Sequence, residues 1–458
     1  MKLFFNLLAL TFLLVSCHPK KKSETVDPEK STVFLDSLSR QTFDFFWEQA
    51  DSITGNQPDR WPTPSFSSIA ATGFGLSSYL VGVNRGYITR EQAAERVLKT
   101  LRFFNNAPKG PATSGVTGNN GFFYHFINMR DGLRFKEVEL STIDTGLLMA
   151  GILSCQSFFD KDNETEKEIR SLSDALFLAV DWNWAMNGKE TMSMGWHPEK
   201  GFLDASWQGY NEAMLLYIFG LGSPSHPIPD DSWKAWTKTY QWGTSFGQEH
   251  INFGPLFGHQ YSHLFIDFKG IQDEYTLGKG IDYFENSRRA TIANRSYAIA
   301  NPAGWTGYEE NVWGLTACDG PNNDNKANPN MAYMGYSARG AAQHYVQDDG
   351  TIAPTAAGGS IPFAPEICIA ALETMKEKYG ANIYGNYGFK DAFNLTITFK
   401  DGTAGWFDKD YLGIDQGPIL IQLENYQNGL IWNLMKKNKY VIAGLKKAGF
   451  AGGWLGAK

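Results

Sequence analysis

IAATGFGLSSYLVGV (69–83), followed by REQAAERVLKTLRFF (90–104), decides the fold. The first stretch is uncharged and rich in Gly and Ala, the composition of a helix packed on all sides. In the second, Ala93, Ala94, Val97, Leu98, Leu101 and Phe104 share one helical face, with Arg90, Glu91, Glu95 and Lys99 opposite. An inner helix is therefore followed by an outer one. The same small, uncharged composition returns in TGLLMAGILS (145–154).

Helical patterning covers 33–50, 66–83, 89–105, 141–159, 164–187, 210–221, 229–243, 257–268, 277–299, 333–346, 363–379, 416–434 and 438–448. Six inner–outer hairpins closing on themselves form an all-α (α/α)6 toroid, with an unclosed helical bundle as the alternative. Strands are sparse. Asn394 to Lys400 alternates in character, and Asp401-Gly402 turns it towards Gly405 to Asp408, so a small β-hairpin is expected at the rim.

Outside this pattern, Lys2 and the short apolar run Leu3 to Val15 read as a signal peptide, and Leu14-Val15-Ser16-Cys17 matches a bacterial lipobox. The expected organisation is a signal over 1–16, a tether over 17–32 lipidated on Cys17, and one catalytic domain over 33–458. The basic residues after Cys17 favour the periplasm over the cell surface. The Gly, Asn and Pro clusters at 105–121 and 319–330 are flanked by helical pattern and read as long loops of that one domain.

A formal charge of −7 without a basic stripe argues against nucleic acid and suits a neutral ligand. Cys155, Cys318 and Cys368 are too few and too scattered for a disulfide framework. No HExxH, CxxC, EF-hand, Walker or dinucleotide spacing is present, so no metal or other cofactor is indicated, and a monomer is expected. The 14 Trp, 20 Tyr and 32 Phe exceed what a helical core alone requires, and aromatic faces stack on sugar rings.

Four segments bring a carboxylate to the start of an apolar helix: VELSTIDTGLL (138–148), WQGYNEAMLLYIF (207–219), GWTGYEENVWGL (304–315) and YLGIDQGPILIQL (411–423). If those helices start at the same end of the fold, the acids share a cavity. Glycoside cleavage needs one such acid to protonate the leaving oxygen and a second group to deliver water or act as nucleophile. Glu212 is the leading candidate, because Trp207, Gly209, Tyr210 and Asn211 lead into it. A helix dipole would favour its ionised form, whereas a general acid must hold its proton, so burial would have to raise its pKa. Asp144 follows Ser141 at capping spacing, and Asp415 precedes Gln416-Gly417-Pro418 as an N-cap would. Both can therefore cap or act. Glu139 can face a ligand or pair with Arg134. Trp196, His197, Trp207, Tyr210, Trp305, Tyr308, Glu310 and Trp313 are candidates for substrate contact, and His259 and His263 are read as structural.

The strings STIDTGLL, GYNEAMLLYIFGLGSP, GPLFGHQYSH, GYEENVWGLTACDGP, DGTIAPTAAGGSIPFAPE and GIDQGPILIQLENY span nearly the whole mature chain. They resemble the glucoamylase-like family of Bacteroidetes, much of it classed as glycoside hydrolase family 144. The resemblance implies an (α/α)6 toroid and an inverting hydrolase of β-1,2-glucan, endo-acting or releasing sophorose. It implies Glu212 as general acid, through GYNEAM, with Glu139, Asp144 and Asp415 in the same cleft and no single base assigned. Starch, as the family label suggests, is the alternative substrate, and a non-catalytic glycan-binding lipoprotein is the alternative from another class.

Overall fold

A computed structural model describes residues 28–322 and 330–457, so the signal and Cys17 lie outside the described residues. Its inner ring runs through the helices Ile69–Asn84, Thr142–Phe158, Met214–Gly222, Tyr261–Phe265, Pro354–Gly358 and Gly413–Asn428. Pro28–Gln49, Arg90–Asn106, Glu164–Leu178, Tyr283–Ala300 and Pro365–Tyr379 are among the outer helices. This is the expected (α/α)6 toroid.

Small residues close the inner ring. A Cβ on Gly73 would stand 2.4 Å from the Leu147 carbonyl oxygen, and one on Gly151 would stand 2.1 Å from the Gly73 carbonyl oxygen. The first two inner helices therefore touch backbone to backbone. Hydrogen bonds carry the ring onward. Leu215 N donates to Ser262 Oγ at 3.0 Å, Gln260 Nε2 to the Ala356 carbonyl at 2.9 Å, and Thr355 Oγ1 to the Asp415 carbonyl at 3.2 Å. Gly417 then lies against the Phe74 ring, which returns the ring to its start.

At one end, two-residue strands run directly into inner helices. Ser67–Ser68 leads into Ile69, Leu140–Ser141 into Thr142, and Tyr411–Leu412 into Gly413. Ser68 and Ser141 cap their helices by accepting from the amides of Ala71 and Asp144, each at 3.2 Å. Extended backbone at these junctions aims the first side chains of each helix inward.

β-structure is more extensive than the sequence pattern indicated. A five-stranded antiparallel sheet orders Gly118–Asn119, Phe122–Tyr124, Leu140–Ser141, Gly195–His197 and Gly201–Phe202. Strands this short leave no period to read. The expected hairpin forms between Phe393–Thr398 and Ala404–Phe407, with Thr351–Ile352 as its third strand. The helix expected over 333–346 is instead strand, with Gly340–Ala342 paired to Tyr345–Gln347. Arg339, which an amphipathic helix would expose, is fully buried and paired with Asp349 at 2.7 Å. The start of Pro28–Gln49 also reaches into the segment expected to be tether, and Ser31 Oγ donates to Glu373 at 2.8 Å.

Candidate active site

The strand-to-helix junctions surround a cavity of about 440 Å³. Ser68, Asp144, Glu212, Tyr261 and Ile414 reach it from near the starts of five inner helices. Phe66 and Phe126, with ring centroids 4.3 Å apart, contribute an apolar wall. Asp59, Arg60, His125, Phe257 and Tyr336 complete much of the lining.

Glu212 is not in the first turn of a helix. The helix begins at Met214, and Glu212 occupies the preceding turn, where its carbonyl accepts from Ser262 Oγ at 2.7 Å. Its side chain is buried and Oε2 has no hydrogen-bond partner. Burial raises its pKa to about 7, opposed by its own backbone amide and reinforced by Asp144. Desolvation therefore outweighs the hydrogen bond from its own amide.

Asp144 lines the same cavity from the first turn of its helix. Its amide satisfies the Ser141 cap, while its carboxylate accepts from the Ser141 hydroxyl and lies 3.5 Å from His125 Nε2. Capping and exposure to the cavity are thus compatible. The other face of His125 binds Glu139, Nδ1 to Oε1, at 2.7 Å. Burial opposes a charge on His125, but Asp144 and Glu139 outweigh it and raise its pKa to about 9. Burial likewise opposes ionisation of Glu139, yet the His125 hydrogen bond prevails and holds its pKa below the usual value. Arg134, the partner considered for Glu139, pairs with Glu199 at 2.6 Å.

Asp415 is buried in the first turn of Gly413–Asn428, beside the lining residues Leu412 and Ile414. Burial raises its pKa, with Asp391 opposing and Asp319 and Asp59 adding to the rise. Arg60 donates to Asp319 and, at 3.1 Å, to Asp59.

The candidate rings are placed differently. Trp207 is buried, with Nε1 donating to Thr142 at 2.9 Å. Trp196 packs on Trp184 at 5.7 Å, and His197 joins Arg134 and Glu199. Tyr210 lines a neighbouring cavity of about 330 Å³. The 304–315 segment starts no helix and lies outside the lining of the main cavity. Trp313 is a core residue, Trp305 packs against that core, Tyr308 donates to Asp348 at 2.6 Å, and Glu310 pairs on the surface with Arg295. The buried rings are held as packing or positioning groups. His259 and His263 are buried and hydrogen-bonded to the Phe253 carbonyl and Ser287, as structural histidines.

Local sequence does not single out Asp59, Arg60, Phe66, His125, Phe126, Phe257, Tyr261 or Tyr336 as lining residues. The string GPLFGHQYSH contains Phe257 and Tyr261, and was the one signal that could have found any of them.

A family model for Glycoamylase, described as "Putative glucoamylase", matches residues 204–439. A crystal structure of the same description from Bacteroides uniformis is 34% identical, covers 93% of this chain and 98% of its own, and superposes with a TM-score of 0.81. The chain belongs to the Glycoamylase family. A solved structure of an endo-β-1,2-glucanase from Chitinophaga pinensis, in complex with sophorotriose and glucose, is 31% identical over 92% of this chain and 98% of its own, with a TM-score of 0.80. A curated relative from Parabacteroides distasonis, an exo-β-1,2-glucooligosaccharide sophorohydrolase acting at the non-reducing end, is 29% identical over 97% of this chain. The chain spans 62% of that relative's length.

Proposed function

We propose that this Glycoamylase-family chain hydrolyses β-1,2-glucan with inversion, and that Glu212 is its general acid. The observation that carries the reading is a buried carboxyl, raised to about 7, on the wall of a cavity it shares with Asp144. Such a group keeps a proton near neutrality and can pass it to a leaving glycosidic oxygen. The linkage rests on the glucanase from Chitinophaga pinensis and the sophorohydrolase from Parabacteroides distasonis.

In this mechanism His125 divides the labour among the acids. Its bond to Glu139 and its approach to Asp144 concentrate negative charge on one side of the cavity. Glu212 holds the proton. Inversion places the attacking water on the face of the sugar opposite Glu212, activated directly by a carboxylate or relayed through a substrate hydroxyl. The Phe66–Phe126 wall offers an apolar surface to a sugar ring. The lipobox at Leu14 to Cys17 supports export and lipid anchoring on Cys17, and the basic residues that follow it favour the periplasmic side. Mass spectrometry of the membrane-extracted chain tests that part.

The deciding experiment sizes the products from linear β-1,2-glucan, soluble starch and laminarin. Sophorose alone from the first substrate indicates exo action, and a ladder of oligomers indicates endo action. Release from starch alone, or from none of the three, refutes the linkage.

A further inference from the structure

Next to Asp415, outside the cavity lining, three carboxylates from distant parts of the chain converge. One oxygen each of Asp319, Asp391 and Asp408 lies within 4.8 Å of the other two. The loops that carry the last two are fixed to each other by their main chains. Asp391 N donates to the Asp410 carbonyl at 3.0 Å, and Asp408 N to the Ala392 carbonyl at 2.9 Å.

Each of these two carboxylates has one oxygen engaged and one left over. Asp391 Oδ2 accepts from the Asp319 amide at 2.7 Å, and Asp408 Oδ1 from the Asp410 amide at 3.0 Å. Asp391 Oδ1 and Asp408 Oδ2 are buried without a hydrogen-bond partner, on residues 1% and 8% exposed. The neighbouring Asp415, 3% exposed, likewise leaves Oδ2 unpartnered. Arg60 is committed to Asp59 and Asp319, and among the described residues no cation lies within ion-pair distance of Asp391 or Asp408. A buried carboxylate without a counter-charge is unfavourable and draws either a proton or a cation. Something positive belongs between them.

We propose that Asp319, Asp391 and Asp408 bind a hard divalent cation, Ca²⁺ in the first instance, which braces the loop behind Asp415. All three donors are carboxylate oxygens, the ligand type that Ca²⁺ prefers, at bond lengths of about 2.3–2.6 Å. Two such bonds on opposite sides of an ion span about 4.8 Å. No spacing motif announces the site, because its ligands are scattered through 319, 391 and 408 and meet only in the fold. The proposal is independent of which glycan the cavity accepts.

The test uses the purified full chain, stripped with EDTA and titrated with CaCl₂, with MgCl₂ in parallel. A saturable rise in melting temperature, complete below about 1 mM Ca²⁺, is expected. It should be lost in Asp391→Asn and in Asp408→Asn, each of which keeps the oxygen that accepts the backbone amide. A terbium soak of wild-type crystals should place one anomalous peak among the three carboxylates, and this readout stands even if a variant fails to fold. No saturable shift in the wild type, a shift that survives both substitutions, or a terbium peak elsewhere would overturn the site. The cluster would then balance its charge by sharing protons alone.

Discussion

His125 stands between two carboxylates, with Nδ1 2.7 Å from Glu139 and Nε2 3.5 Å from Asp144. The pairing bridges a strand end and a helix start, and its charge is part of the architecture of the cavity. With a folded pKa of about 9 against an ordinary 6.5, His125 adds stability that is complete below pH 6.5 and lost as pH rises through 9. Melting temperatures of wild type and His125→Gln across pH 6–10 should therefore converge at the alkaline end. Parallel curves would show that the pairing contributes nothing.

Glu212 has the same sign of linkage. Its pKa is raised from 4.5 to about 7, so stability falls as pH rises from 4.5 through 7. Glu212→Gln removes that penalty, and the variant should be the more stable protein at pH 8, by at most about 3 kcal/mol. Its kcat should drop by ~10²–10⁴-fold while oligosaccharide binding persists. Wild-type activity should decline through pH 7 as the acid loses its proton. Equal kcat in the two proteins would remove Glu212 from the chemistry.

Tyr336 lines the cavity and leaves 57% of its surface exposed, so it has little packing to lose. Tyr336→Ala should raise KM about tenfold and change unfolding free energy by less than about 0.5 kcal/mol. A loss of stability without a change in KM would reassign the ring to structure.

Gly73 sits where two inner helices meet backbone to backbone. Gly73→Ala should destabilise the fold by about 1–3 kcal/mol through overpacking, measured by denaturant unfolding. A neutral effect would mean that the ring yields more readily than the 2.4 Å approach implies.

Arg339 and Asp349 form an ion pair with side chains 0% and 1% exposed. Arg339→Ala strands the partner carboxylate and should destabilise by about 3–5 kcal/mol. Calorimetry reads this directly, and a shift of less than 1 °C would refute it.

The toroid was legible because its signal is compositional. Uncharged, Gly-rich helices such as Ile69–Asn84 alternate with amphipathic ones such as Arg90–Asn106, and burial follows. Glu212 and Asp144 were legible because junction sequences place acids near helix starts. Asp59, Arg60 and His125 were not. Each lies in or beside a strand of two or three residues, with no helical or strand period to mark it, and only pairings such as Arg60 with Leu412 bring it to the cavity. The rings of 304–315 are ambiguous in sequence because an aromatic residue suits a core as well as a sugar face. Trp313 belongs to the same buried cluster as Val312, Leu315 and Ile352, a core environment.

The Gly413–Asn428 helix packs against both Pro28–Gln49 and Ile69–Asn84, so the ring is closed by segments more than three hundred residues apart in the chain. During synthesis the first inner helix leaves the ribosome long before its neighbour exists, with Phe74 still lacking the Gly417 surface that covers it. A nascent chain therefore carries an open apolar seam for most of its translation, and no partial product can assemble the cavity. The cavity therefore takes shape only once the Gly413–Asn428 helix is in place.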